Sequence, residues 1–248
     1  MFSNNESNTA VNNVKRRILA ASALLLLVIS SGPLQAQSEN EAFEKLAQRF
    51  LTELPMFSPV NATQIGDHSA DHKLDQVSAV ARERNLASFE KYKIALGAID
   101  REQLSRANQV DAQLLQSELD ASIWRLETLQ EWAWNPLVYI NIAGNSVYGL
   151  VARDFAPLEQ RLDNAAARLE QIPRFLQQAR ESIQAVRVPK IHAETAIRQN
   201  QGLISIVDNM IMPSIDELTP ATRRRLLAAI ETAKDAIAVH QTWLEEEL

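Results

Sequence analysis

Cysteine is absent from all 248 residues. That excludes disulfide staples, a thiol nucleophile, Cys-ligated zinc and the cysteine on which a lipoprotein leader is acylated. Also missing are a Gly-x-Ser-x-Gly elbow and any sustained alternation of apolar and polar residues that would mark a strand. Basic charge is in deficit, with 25 Lys and Arg against 31 Asp and Glu and a net charge of −6. Nucleic-acid binding needs clustered cations that neutralise phosphates. The only dense basic run, Arg223-Arg224-Arg225, opens a helix rich in acids further on and reads as a solvated face, so no nucleic-acid partner is expected.

What is present begins with an export signal. Lys15, Arg16 and Arg17 precede an apolar run from Ile18 to Ile29, followed by the helix-breaking Ser31-Gly32-Pro33 and then Leu34-Gln35-Ala36. The run covers 12 residues, whereas crossing a bilayer takes roughly 20. A charged n-region, a short h-region and a small residue at the end are the parts of a cleavable signal peptide. Residues 1–36 are expected to be removed after Ala36, with residues 37–248 left as a helical domain, exported to the periplasm or secreted and without a stable membrane anchor. An uncleaved anchor is the alternative, because Leu34 is bulky for a cleavage site. The 212 residues after Ala36 carry a net charge of −8, and a chain of that size can hide roughly 70% of its unfolded surface.

The periodicity is helical nearly throughout, and the expected fold class is all-α, built from long amphipathic helices with no substantial sheet. Phe43, Leu46, Phe50 and Leu54 share one helical face, and Pro55 is expected to end that helix. Residues 55–78 read as irregular, and Ser78 as the N-cap of a helix reaching about Ala98. A third segment starts near Asp100. From Glu131 to Pro157 periodicity is lost among Trp132, Trp134, Pro136, Tyr139, Gly144, Tyr148 and Gly149, which reads as an irregular aromatic-rich strap pinned by buried rings. The stripe resumes at Leu158, Leu162, Ala165, Leu169 and Ile172, with a break at Pro173. A helix over 193–211 is closed by Pro213, and Thr219-Pro220 supplies an N-cap with proline at the first helical position. The final residues, Trp243 to Leu248, contain no Gly, Asn or Pro stop and place glutamates at the negative end of a helix dipole. The chain is therefore expected to stop inside a helix as a piece of a longer protein, a frayed natural end being the alternative.

No complete catalytic or metal constellation is legible. His68 and His72 would share a helical face with Asp67 or Asp71 nearby, but Gly66 and its polar neighbours point to a loop, where that spacing loses its meaning. His192-Ala193-Glu194 has a His-x-Glu pattern without the second histidine or Pro-Cys-x-x-Cys that a zinc site needs. Glu194 there serves a helix start. Ser146 has neither elbow nor strand to carry it.

Several segments together resemble one family. Trp132-Ala133-Trp134-Asn135-Pro136-Leu137-Val138-Tyr139, Tyr148-Gly149-Leu150-Val151-Ala152-Arg153-Asp154-Phe155-Ala156-Pro157-Leu158, Arg168-Leu169-Glu170-Gln171-Ile172-Pro173, His192 to Ile197 and the earlier Gly66-Asp67-His68 are similar, in their succession along the chain, to the bacterial domain-of-unknown-function 885 family. The resemblance covers the chain from about Phe43 onward. It implies an exported protein of about twice this length or more, similar to helical zinc metallopeptidases, whose presumed His-Glu and Pro-Gly-His motif lies in the C-terminal half. Nothing in this chain matches that motif. The resemblance thus implies no catalytic residue, metal ligand or cofactor here, zinc in the full-length protein, a C-terminal catalytic half as partner, and a peptide as substrate. This chain would cover or flank the cleft, with Tyr148, Arg153, Asp154, His192 and Glu194 as candidate substrate contacts. Arg153-Asp154 as an internal ion pair stays open beside that role. A free-standing periplasmic helical binding module without catalytic activity is the other function class.

Overall fold

The computed structural model describes residues 31–248, all helices and connections with no strand among them. The predicted leader, residues 1–36, lies largely outside the described residues. Helices α1 (Ser31–Phe57), α2 (Pro59–Ile65), α3 (Ala79–Gly97) and α4 (Arg106–Trp124) are followed by α5 (Glu131–Trp134) and α6 (Pro136–Val151). Then come α7 (Leu158–Leu169), α8 (Ile172–Ser182), α9 (Lys190–Gln199), α10 (Gly202–Ile206) and α11 (Pro220–Glu247). No helix among the described residues is long and apolar enough to cross a membrane.

Two compact units divide the chain. The smaller holds residues up to Gln48 and Ile94–Ser117. Phe43, Leu46, Leu96, Leu104 and Leu115 are buried there. Asn40 ties its connections: its carbonyl accepts from Ser105 N at 2.9 Å and Asn108 Nδ2 at 2.7 Å. The larger unit, Arg49–Lys93 with Glu118–Leu248, has its core where α11 packs on α7 and α8, and α6 on α7, α9 and α10. Leu162, Leu169, Ile172, Phe175, Leu226, Ile230, Val147 and Leu150 are buried in it, each contributing about 1.5–3 kcal/mol by leaving water.

The predicted stripes and caps at 158–183 and 220–244 match this core. Pro173 sits at the start of α8, where its missing N–H costs nothing, and the Thr219 hydroxyl accepts from Thr222 N. The Ser78 hydroxyl accepts from Ala81 N at 3.2 Å at the start of α3.

Five local expectations need correction, the first being the irregular reading of residues 55–78, within which Pro59–Ile65 form α2. Gly32-Pro33 lies in the first turn of α1 rather than breaking it, since a proline is tolerated where backbone donors have no helical partner. Pro55 lies within α1, not at its end; one ladder bond is lost and the ladder resumes with Ser58 N on Leu54 O at 3.3 Å. The strap is mostly helical and irregular only over 152–157. Asn135 accepts from Leu137 N, Pro136 opens α6, and α6 is apolar on most sides because several helices surround it, so it carries no stripe to detect. Within this stretch Tyr139 is buried, whereas Trp132 and Trp134 are half-buried. Finally, the helix expected over 193–211 breaks at Asn200-Gln201 into α9 and α10, where Gly202 is a weak helix former and the Asn200 amide donates to Ile237 O at 3.1 Å and Gln241 Oε1 at 2.9 Å.

The basic run behaves as a solvated face. Arg225 forks onto Glu170 with two contacts of 2.8 Å and reaches Asp163 at 2.7 Å, and Arg223 pairs with Asp216 at 2.8 Å.

Candidate functional site

Gly66 closes α2 in the left-handed region at φ 95°, with its N–H on Thr63 O at 3.2 Å and Asp67 N on Ala62 O at 2.9 Å. The chain then runs without regular structure to Ser78. Its backbone groups need partners, and side chains of α7 and α8 supply them. Arg168 Nε donates to Lys73 O at 2.9 Å. Gln171 accepts from Leu74 N at 3.2 Å and donates to His72 O at 2.9 Å. Arg174 donates to Leu74 O and Asp75 O at 3.3 Å, Gln178 accepts from Val77 N at 3.0 Å, and Ser182 donates to Val77 O at 3.1 Å. These side chains recur every three or four residues, so they form one polar stripe along the α7–α8 pair.

Arg168 is fully buried at the head of that stripe. It also donates to Ser146 O at 2.8 Å, Pro59 O at 3.3 Å and Thr63 Oγ1 at 2.7 Å. Its ion-pair partner is Asp71, at 3.9 Å and equally buried. Burial lowers the guanidinium to about 10, opposed by the charges of Asp71 and Asp75, so it stays charged at neutral pH. Asp75 accepts from Val60 N at 3.0 Å and Ser58 Oγ at 2.8 Å, which fastens the N-terminus of α2. Desolvation raises its carboxyl above the ordinary range, against the pull of Val60 N, Ser58 and Arg168. This cluster ties α2, α6, α7 and the 66–78 connection together. A charged group so enclosed is costly to expose to a missing partner and fixes one arrangement.

The candidate residues from the sequence are scattered. His68 is in the connection, as expected of a loop; its Nδ1 lies 3.0 Å from Asp71 Oδ2 and its ring stacks on Phe155 with centroids 3.6 Å apart. Asp71 is committed to Thr63 and Arg168, and His72 contributes its carbonyl to Gln171. No group of three or more His, Asp or Glu able to hold a metal occurs among the described residues. This cluster does not fit zinc, because its carboxylate is already spent on a guanidinium and a hydroxyl.

Arg153 and Asp154 do not pair with each other. Asp154 accepts from Arg161 Nη2 at 2.7 Å, and exposed Arg153 reaches Gln64 O at 3.5 Å. His192 packs against Trp134 with centroids 5.5 Å apart, and Glu194 lies 3.8 Å from Lys190 one turn earlier, a helix-surface pair. The Ser146 hydroxyl is buried and donates to Ala143 O at 2.6 Å.

Tyr148 is different. Its half-exposed ring lines a cleft of about 410 Å³ between α6 and the α9–α10 junction, within the usual size range of small-molecule sites. Asn141 and Asn145 line it from α6, and Arg198, Gln199 and Gln201 from the other wall. Sequence reasoning missed this cleft along with the Arg168 cluster. For the cluster a signal existed: Arg168, Gln171, Arg174 and Gln178 follow helical spacing beside an apolar stripe.

A solved structure described as "a putative lipoprotein of unknown function from Shewanella oneidensis" is similar, with a TM-score of 0.75 and 27% identity. The similarity covers 82% of this chain and 37% of that one, so this chain spans little more than a third of the neighbour's length. No curated protein matches the chain. Residues 59–248 match the model of a family described as bacterial protein of unknown function (DUF885), and the chain belongs to that family.

Proposed function

We propose that this chain is the N-terminal helical portion of an exported, zinc-metallopeptidase-like hydrolase, covering or flanking the substrate cleft and supplying no metal ligand of its own. The observation that carries this reading is the coverage: the fold matches over 82% of this chain but only 37% of its solved neighbour. The commitment of His68 and Asp71 to structural contacts supports it. Export is supported by Lys15-Arg16-Arg17 and the apolar run after it, and by the neighbour's description as "a putative lipoprotein". Peptide contacts from Tyr148 and Arg153 belong to the same proposal.

The genomic sequence after Leu248 tests it directly. An in-frame continuation with His-Glu and Pro-Gly-His is expected, and protein extended through that motif should bind stoichiometric zinc and cleave peptides, whereas the chain ending at Leu248 should do neither. Stoichiometric zinc on the short chain, lost on mutating His68 and His72, would overturn the proposal. Periplasmic protein should begin at Gln37 by mass; retention in the membrane fraction would overturn the export reading. A free-standing periplasmic binding module is the second reading, favoured by the cleft beside Tyr148, and a stop codon after Leu248 would select it.

A further inference from the structure

The cleft between α6 and the α9–α10 junction contains no Asp or Glu among its lining residues, although acids outnumber bases in the whole chain. Asn141, Asn145 and Tyr148 are four and three residues apart on α6, so they fall on one face. Asn145 is half-buried, yet its carboxamide has no hydrogen-bond partner among the described residues. On the opposite wall Arg198 donates to Thr195 Oγ1 at 3.0 Å and has no carboxylate partner among the described residues. Elsewhere in the larger unit Arg161, Arg168, Arg223 and Arg225 each face a carboxylate, whereas Arg82, Arg153, Arg174 and Arg187, like the exposed Arg198, bond to carbonyl, hydroxyl or amide oxygens.

These groups have a specific chemistry. A guanidinium presents a planar fork of donors that matches a carboxylate. A carboxamide both donates and accepts, and so pairs with another amide. An acid-free wall leaves an incoming anion unopposed. Ile140, Leu203 and Ile206 add apolar surface for a short side chain. We propose that this cleft binds a small carboxylate ligand carrying a neighbouring amide, with the carboxylate on Arg198 and the amide at Asn141 and Asn145. The site stands on this chain alone and holds whether or not a catalytic half follows it.

The test uses N-acetyl-L-alanine as probe and N-acetyl-L-alaninamide, its neutral counterpart, as comparison, with binding followed by calorimetry and by chemical-shift perturbation of α6 and α9 amides. Saturable binding of the acid is expected, at least tenfold weaker for the amide, as one charge-assisted pair accounts for about that factor. Arg198→Gln should weaken the acid tenfold and leave the amide unchanged, and Asn145→Ala should weaken both several-fold. Neither side chain makes a tertiary hydrogen bond or ion pair among the described residues, so the melting temperature of each variant should stay at the parent's value. Equal affinity for acid and amide, no binding of either, or full affinity in Arg198→Gln would each overturn the proposal.

Discussion

Thr63 Oγ1 accepts from Arg168 Nη2 at 2.7 Å and donates to Asp71 Oδ1 at 2.6 Å, so one hydroxyl bridges a buried cation and a buried anion. Direct contact between the two charges is longer, 3.9 Å. Removing the bridge leaves both ions short of a partner in a place water does not reach.

Thr63→Val should therefore cost about 2 kcal/mol, the scale of a hydrogen bond to a charged group. Arg168→Met should cost about 3–5 kcal/mol, since Asp71 would stay buried without its countercharge. Denaturant unfolding measures both. A loss under about 1 kcal/mol for Arg168→Met would mean that the cluster is dispensable.

His240 is buried in α11, stacked on Trp243 with centroids 5.5 Å apart, and its Nδ1 has no hydrogen-bond partner among the described residues. Desolvation first, and the Arg180 charge second, lower it to about 4. Its folded value thus lies below its unfolded one, so above roughly pH 6.5 it is neutral in both states and pH-independent. As pH falls from there to about 4, the unfolded chain takes the proton preferentially and stability drops, by about 3 kcal/mol in all. His240→Leu should flatten this part of the stability curve against pH. An unchanged acid slope in the variant would count against His240 as its source.

Gly66 and Gly97 form a matched pair, because an added Cβ meets nothing within 4 Å at either. Only Gly66 has positive φ, at 95°. Gly66→Ala should cost about 1–2 kcal/mol from backbone strain alone, and Gly97→Ala, in α3, should stabilise by about 0.5 kcal/mol. Melting temperatures moving in opposite directions would verify the contrast.

Tyr139 is buried and donates to Trp132 O at 2.6 Å. Burial pushes its phenol up to about 12, against Ser182 and the Arg82 charge. Tyr139→Phe should cost about 1 kcal/mol, as it strips one hydrogen bond and preserves the ring. In ultraviolet titration the native protein should show one tyrosine ionising later than the others, and the variant should lack it.

The sequence made some of this legible. Leu162, Leu169, Ile172 and Phe175 announced the α7–α8 pair because each helix has one buried stripe. Thr219 and Ser78 announced their helices through local hydroxyl chemistry. Helix α6 escaped notice because burial on several sides erases periodicity. The Arg168 cluster escaped for another reason: its contacts with Thr63, Lys73 and Pro59 span 105, 95 and 109 residues, and no local pattern carries such a pairing. Tyr148 was named as a candidate contact through the family resemblance, but the cleft beside it takes its other wall from α9 and α10, elements of separate local signal.

The polar stripe of α7 and α8 also has a bearing on the order of folding. Every bond it makes to residues 72–77 spans about 95 to 105 positions, so loop-closure entropy must be overcome before any of them forms. Local helices gain stability sooner than this segment does. Residues 72–77 should consequently lock late, after the consecutive helices α7 and α8 exist to receive them, and substitutions in the segment should speed unfolding while barely slowing folding. In hydrogen exchange, the amides of Leu74 and Val77 should report the integrity of two helices that lie a hundred residues further along the chain.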